Sequence, residues 1–197
     1  MKLIFATNNA HKITEIKNAV KGFEIVGLKE SGIFEDIPET GSSLKENARI
    51  KARYIFEKYG ADCFADDTGL EVEALDGAPG VYSARYAGEH CSYSDNNKKL
   101  LSSLEKETNR SARFVTVICL ILEGKEYYFE GICPGEILPE NTGSEGFGYD
   151  PIFRPKGFQE SFAQMSVEQK NKISHRGLAV AQLIDYLKSR ENDSPKR

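Results

Sequence analysis

No apolar run in the chain approaches the ~18 residues that a membrane-spanning helix requires, and no repeat, low-complexity tract or clean linker interrupts it. A basic excess is missing too. Lys and Arg number 26 against 30 Asp and Glu, for a formal net charge of −4 and a pI near 5.5. Affinity for DNA or RNA comes from cations that release counterions from phosphates, so no nucleic-acid partner is expected. The four cysteines, Cys63, Cys91, Cys119 and Cys133, contain no CxxC pair, which removes the zinc and dithiol signatures. The opening residues turn polar at Thr7, before an h-region could form. The expectation is a reduced, cytoplasmic enzyme with no membrane partner.

What is present suffices for a core without staples. The 197 residues are 40% hydrophobic and 28% charged, and a chain of this length buries roughly 70% of its extended surface on folding. Residues 3–6 read as a short buried strand. Ile13, Ile16 and Val20 put an apolar stripe on a helix over 11–20, and 23–28 reads as a second strand. Polar residues with Gly32, Pro38 and Gly41 make 29–42 a loop. A long helix follows over 43–59, with Ser43 and Glu46 spaced as a capping box and Gly60 as its stop. The run 63–65 is a strand that leads into Asp66-Asp67-Thr68-Gly69 and continues towards Leu75. A helix is expected over 94–105. Residues 112–122 and 127–133 form a hairpin around Glu123-Gly124, so the sheet is mixed. Residues 138–150 are a Gly-rich loop, Ser166 with Gln169 caps a helix to about 172, and 176–189 is an amphipathic helix. The simplest reading is one α/β domain over 1–190, two-lobed, with a frayed polar tail over 191–197.

Several segments carry chemistry as well as structure. Thr7-Asn8-Asn9-Ala10-His11-Lys12 joins a strand to a helix, where unpaired N–H groups attract phosphate and Lys12 adds a point charge; plain capping by Asn8 or Asn9 is the structural alternative. It is no Walker A loop, because GxxxxGK[ST] occurs nowhere. Asp66 and Asp67 would point to opposite faces if the strand runs through them, with one facing a pocket and the other bound by backbone. Carboxylates at a strand end suit Mg²⁺, which takes one or two protein oxygens plus substrate phosphates; a solvated turn is the alternative. Gly146-Phe147-Gly148-Tyr149-Asp150-Pro151 offers close backbone approach and flat rings for a base, or simply a tight turn. Lys170 with Ser174-His175-Arg176 offers phosphate and carbonyl donors, or a basic surface turn. Arg176 opposes the dipole of the helix it begins, which hints at another task. Pro38-Glu39-Thr40-Gly41 and Tyr82-Ser83-Ala84-Arg85-Tyr86 are further candidates.

Together these segments closely resemble the inosine triphosphate pyrophosphatase family, which removes non-standard purine nucleoside triphosphates. The matching pieces run in family order: Thr7 to Lys12, Glu39-Thr40-Gly41, Glu46-Asn47-Ala48 with Lys51-Ala52, Ala65 to Leu70, Gly77 to Tyr86, Gly146 to Phe153 and Ser174 to Gly177. The resemblance implies an elongated mixed sheet with flanking helices, in two α/β lobes around a substrate cleft, and a homodimer. It implies phosphate binding by Thr7, Asn8, Asn9, Ala10, His11 and Lys12, and Mg²⁺ binding by Glu39 and Asp67, with Asp67 also the proton acceptor. Thr68, Phe147, Gly148, Tyr149, Asp150, Lys170, His175 and Arg176 are implied substrate contacts, and Asn8 stands where many members carry glycine. The implied reaction is ITP, dITP or XTP plus water giving the monophosphate and pyrophosphate. Two rivals are weighed against it. An aspartyl-phosphate phosphatase needs Asp-x-Asp, which Asp66-Asp67 lacks. A non-catalytic nucleotide-binding module would have no use for two metal acids and two lysines.

Overall fold

The computed structural model describes residues 2–20 and 22–193. Six strands form one mixed sheet in the order β2-β1-β3-β4-β5-β6. β1 (Lys2–Phe5) lies parallel to β2 (Glu24–Gly27) and β3 (Cys63–Val72). β3, β4 (Ser111–Leu122), β5 (Lys125–Ile137) and β6 (Phe153–Pro155) are antiparallel neighbours. The α/β class and mixed sheet match the expectation.

The strand ends depart from it in two places. β3 runs through both aspartates but stops at Val72, short of Leu75, because β4 pairs with it only from Cys63↔Ile121 to Val72↔Ala112 and Glu73–Leu75 turns into a 3-10 helix. β5 continues past Cys133 to Ile137 although Pro134 and Gly135 look like breakers. β6 joins there, with Gly135 opposite Pro155, and the Lys156 N–H donates to Pro134 O at 2.9 Å. The hairpin turn is Glu123-Gly124, both at positive φ (51° and 78°), as the right-handed twist of paired strands requires.

Among the described residues five α-helices flank the sheet. α1 (Ala10–Ala19) and α5 (His175–Asp193) cover one face, and α2 (Leu44–Tyr59) covers the other. α3 (Tyr93–Ser103) and α4 (Val167–Ile173) complete the set. Alternation along β3 sorts its side chains. Phe64 joins Leu3, Phe5, Ile16, Leu120 and Leu183 under α1 and α5, while Cys63 and Ala65 join Ala48, Ala52, Ile55 and Cys119 under α2. A third core, with Leu70, Leu100, Phe114, Phe153 and Phe162, lies towards the β6 side of the sheet. Each fully buried Leu or Phe contributes roughly 1.5–3 kcal/mol. All four cysteines are free thiols.

Caps settle the helix ends. Asn9 caps α1 by accepting from the His11 and Lys12 N–H groups. Ser43 caps α2, but Glu46 reaches back one residue further than a capping box, to the Ser42 N–H at 2.8 Å. α5 extends to Asp193, so the start of the expected polar tail is helical; residues 194–197 lie outside the described residues. Gly131 lets α5 begin close against β5, since a Cβ there would stand 2.0 Å from His175 O. That contact fixes where His175 and Arg176 enter the site.

Candidate active site

A cavity of about 490 Å³ opens among the end of β1, β3, the Gly-rich loop and the start of α5. Thr7, Asn8, Asn9 and Lys12 line one part of it, Glu39, Lys51, Asp67 and Thr68 the floor, and Phe147, Gly148, Tyr149, Asp150, Lys170, His175 and Arg176 the rest. Ala10 and His11 do not line it. They are exposed on the first turn of α1, and His11 instead stacks on Phe147, with ring centroids 5.0 Å apart.

Asp66 and Asp67 take opposite faces of β3, as strand geometry demands. On one face, buried charges alternate in a chain. Lys12 Nζ lies 2.9 Å from Asp66 Oδ1, and Arg176 Nε lies 3.1 Å from Asp66 Oδ2. Arg176 Nη1 pairs with Glu15, whose other oxygen is 2.6 Å from Lys170 Nζ. Lys170 Nζ is also 2.6 Å from Asp150 Oδ2, and Asp150 accepts the Phe147 N–H at 2.8 Å. The chain therefore runs from the first helix to the Gly-rich loop. Asp66 is held by side chains, which corrects the expectation of backbone partners for the acid facing away from the pocket. Tyr149 lines the cavity, packs in the third core and donates its hydroxyl to Ser83 O at 2.9 Å.

This chain explains the charge states. Burial pushes the Asp66 carboxyl up, but Lys12 and Arg176 outweigh it and hold the group well below the usual carboxylate range. Burial likewise opposes ionisation of Glu15, and Arg176 and Lys170 reverse the sign. Burial pulls the Lys12 ammonium down, only partly offset by Asp66. It also lowers the Arg176 guanidinium, but Asp66 and Glu15 outweigh it and hold that group above its usual range. Asp150 is raised, by burial above all. Burial, with Arg176 and Lys170 nearby, holds His175 well below its ordinary value, so its imidazole is neutral. It stacks on Phe114 at 4.4 Å, and its Nδ1 has no hydrogen-bond partner among the described residues.

The other face is different. Asp67 Oδ2 accepts from Asn47 Nδ2 at 3.0 Å, and Oδ1 accepts the Thr68 N–H at 3.0 Å. Lys51 Nζ sits 2.5 Å from Glu39 Oε1 and 3.8 Å from Asp67 Oδ1. Glu39 and Asp67, far apart in sequence, thus meet at one ammonium. Burial raises the Asp67 pKa, and Lys51 does not cancel it. Burial lowers the Lys51 ammonium, but Asp67 and Glu39 outweigh it and hold it above its usual range. The adjacent carboxylates are thus pushed in opposite directions, Asp66 down and Asp67 up. Among the described residues no cluster of three or more His, Cys, Asp or Glu could hold a metal unaided. Two carboxylates completed by phosphate oxygens suit Mg²⁺.

Sequence reasoning gave no role to Glu15, Asn47 or Lys51. Asn47 and Lys51 carried a signal: they interrupt the apolar stripe of α2 (Leu44, Ala48, Ala52, Ile55) on its own buried face. Glu15 is a buried acid beside Ile16, and only the fold reveals that Lys170 and Arg176 face it. Arg85 lines the cavity with its nearest carboxylate, Glu89, 4.0 Å away.

Residues 3–186 match the Ham1 family. A dITP/XTP pyrophosphatase of Flavobacterium johnsoniae is 57% identical over 188 residues, covering 95% of this chain and 98% of its own length. Two solved structures superpose closely. The Ham1 protein of Staphylococcus aureus has a TM-score of 0.87 at 40% identity, covering 96% of this chain and 100% of its own. That of Coxiella burnetii has a TM-score of 0.88 at 37% identity, covering 96% and 99%.

Proposed function

The chain belongs to the Ham1 family, and from that membership we propose that it hydrolyses ITP, dITP and XTP to the nucleoside monophosphate and pyrophosphate. One observation carries the reading: a single cavity holds two metal-type acids at one end and a row of clamped cations leading to an aromatic loop at the other. Asp67 takes a proton from water as its oxygen adds to the α-phosphorus, and pyrophosphate leaves as the bond to the β-phosphate oxygen breaks. Glu39 and Asp67 would hold Mg²⁺, which neutralises phosphate charge and makes water more acidic.

The charge balance supports a metal requirement. Lys12, Lys51, Arg85, Lys170 and Arg176 are outnumbered by Asp36, Glu39, Asp66, Asp67, Glu15 and Asp150 in and just behind the cavity wall. A triphosphate brings about four more negative charges, so divalent cations must accompany it. Lys12 and Lys170 then stabilise the charge growing on pyrophosphate. Thr7, Asn8 and Asn9 frame the phosphate end, Ala10 and His11 stand beside it on the first turn of α1, and Thr68 and Gly148 contact the substrate. Phe147 stacks on the base. His175 and the Arg176 N–H groups not taken by Asp66, Glu15 and Thr68 favour a 6-keto oxygen over an amine, a discrimination that can reach ~10⁴.

The enzyme is proposed to act as a cytoplasmic homodimer, with residues 1–190 as its two-lobed unit. A panel of nucleoside triphosphates assayed for pyrophosphate release tests the reading. ITP, dITP and XTP should turn over with Mg²⁺ and stop with excess EDTA. Free phosphate as the first product, or tight binding without turnover, would refute it. Light scattering tests the dimer.

A further inference from the structure

Glu39 and Asp67 come from different parts of the chain, and α2 joins them with two side chains one turn apart. Asn47 is fully buried. Its Nδ2 donates to Asp67 Oδ2 at 3.0 Å, and its Oδ1 accepts at 2.7 Å from the N–H of Gly41, two residues beyond Glu39. A Cβ at Gly41 would stand 2.8 Å from Asn47 Oδ1, so the loop closes this far only with glycine. Lys51 follows at i+4 on the same helix face. Its side chain is 9% exposed, and its ammonium lies between the two carboxylates, 2.5 Å from Glu39 and 3.8 Å from Asp67.

We propose that Asn47 and Lys51 form a clasp with opposed duties towards the divalent cation. Asn47 preassembles the two acids, and Lys51 occupies the cation's place between them until the metal displaces it. The inference rests on the reading of Glu39 and Asp67 as metal ligands. Two carboxylates brought together from water repel, and the ammonium offsets that repulsion. An oxygen lone pair cannot serve the ammonium and a metal at once. A tethered ammonium is a competitor at high effective concentration, so it weakens metal binding by the substrate-free enzyme. Asn47 is no competitor, because it is neutral and holds Asp67 by the oxygen turned away from Lys51. The displaced ammonium lies in the cavity wall, where triphosphate offers it a new partner. Metal and nucleotide therefore bind better together than singly, and the coupling is reciprocal.

Mn²⁺ titrations by calorimetry on metal-free enzyme at mildly alkaline pH, without nucleotide, test this. Thermal denaturation checks each variant for folding. Lys51→Met should bind Mn²⁺ about tenfold tighter than wild type, and Asn47→Ala about tenfold weaker, the scale of a hydrogen bond to a charged group. A non-hydrolysable ITP analogue should tighten Mn²⁺ binding to wild type and do so far less for Lys51→Met. Unchanged or weaker binding by Lys51→Met overturns the placeholder role, and unchanged binding by Asn47→Ala overturns the clasp. Lys51→Gln replaces Lys51→Met if the latter does not fold. Glu39→Gln separates this inference from its footing: it should abolish Mn²⁺ binding, and wild-type affinity there would sink the metal site itself.

Discussion

Asp66 and Asp67 are sequence neighbours with the same chemistry, yet the two faces of β3 make opposite use of them. Towards α1 and α5, Asp66 is saturated: Lys12, Arg176 and Thr68 take its oxygens, and it is held ionised. Towards α2, Asp67 shares the Lys51 ammonium with Glu39, and burial raises its pKa. Fixed partners saturate one face, and under the proposed mechanism the other gives up a contact and accepts a proton. A strand supplies both because its side chains alternate, so one dipeptide serves the positioning and the chemistry of a single cavity.

The largest effect should come from the labile face. Asp67→Asn should cut kcat by about 10³-fold or more, within the range for loss of a general base. It should leave thermal stability equal or higher, because a carboxylate whose pKa rises on folding costs stability once ionised. A large drop in melting temperature would mean that Asp67 is structural after all. Asp66→Asn should invert the pattern. Removing one member of a buried charge network costs about 3 kcal/mol, read as a lower urea midpoint. The sign with pH follows from linkage. Asp66 and Glu15 are depressed in the folded state, so their stabilisation is present above the ordinary carboxylate pKa and is lost as pH falls through the depressed one. Wild type should therefore lose stability faster than Asp66→Asn as pH drops below the ordinary carboxylate range. Parallel acid-unfolding curves would contradict the charge chain. Smallest is Phe147→Ala at the mouth. Loss of about 1–3 kcal/mol of base stacking should raise KM for ITP with kcat nearly kept, and a fall in kcat alone would remove Phe147 from base binding.

Legibility from sequence followed the range of the interactions. The Glu123-Gly124 turn, the Ser43 cap and the Gly60 stop are local and were readable. The extension of β5 through Pro134 was not, because it depends on pairing with β6, distant in sequence. The cavity-lining motifs were legible as polar segments at element ends. His11 and Ala10 were drawn in with Lys12 because they adjoin it, but on the first turn of a helix neighbours point in different directions. Glu15 was hidden because its partners lie more than 150 residues away.

The sequence by itself determined the element pattern, the opposite facing of the two aspartates and the family, because periodicity and motif order are written along the chain. Tertiary structure decided which charges neutralise which: that Glu15 binds Lys170 and Arg176, that Arg176 enters the site already committed to carboxylates, and that Lys51 stands between Glu39 and Asp67. The reason is electrostatic. A buried charge is tolerated only with a partner within hydrogen-bond reach, and for these residues reach is set by the packing of helices on opposite faces of one sheet, which no local stretch of sequence contains.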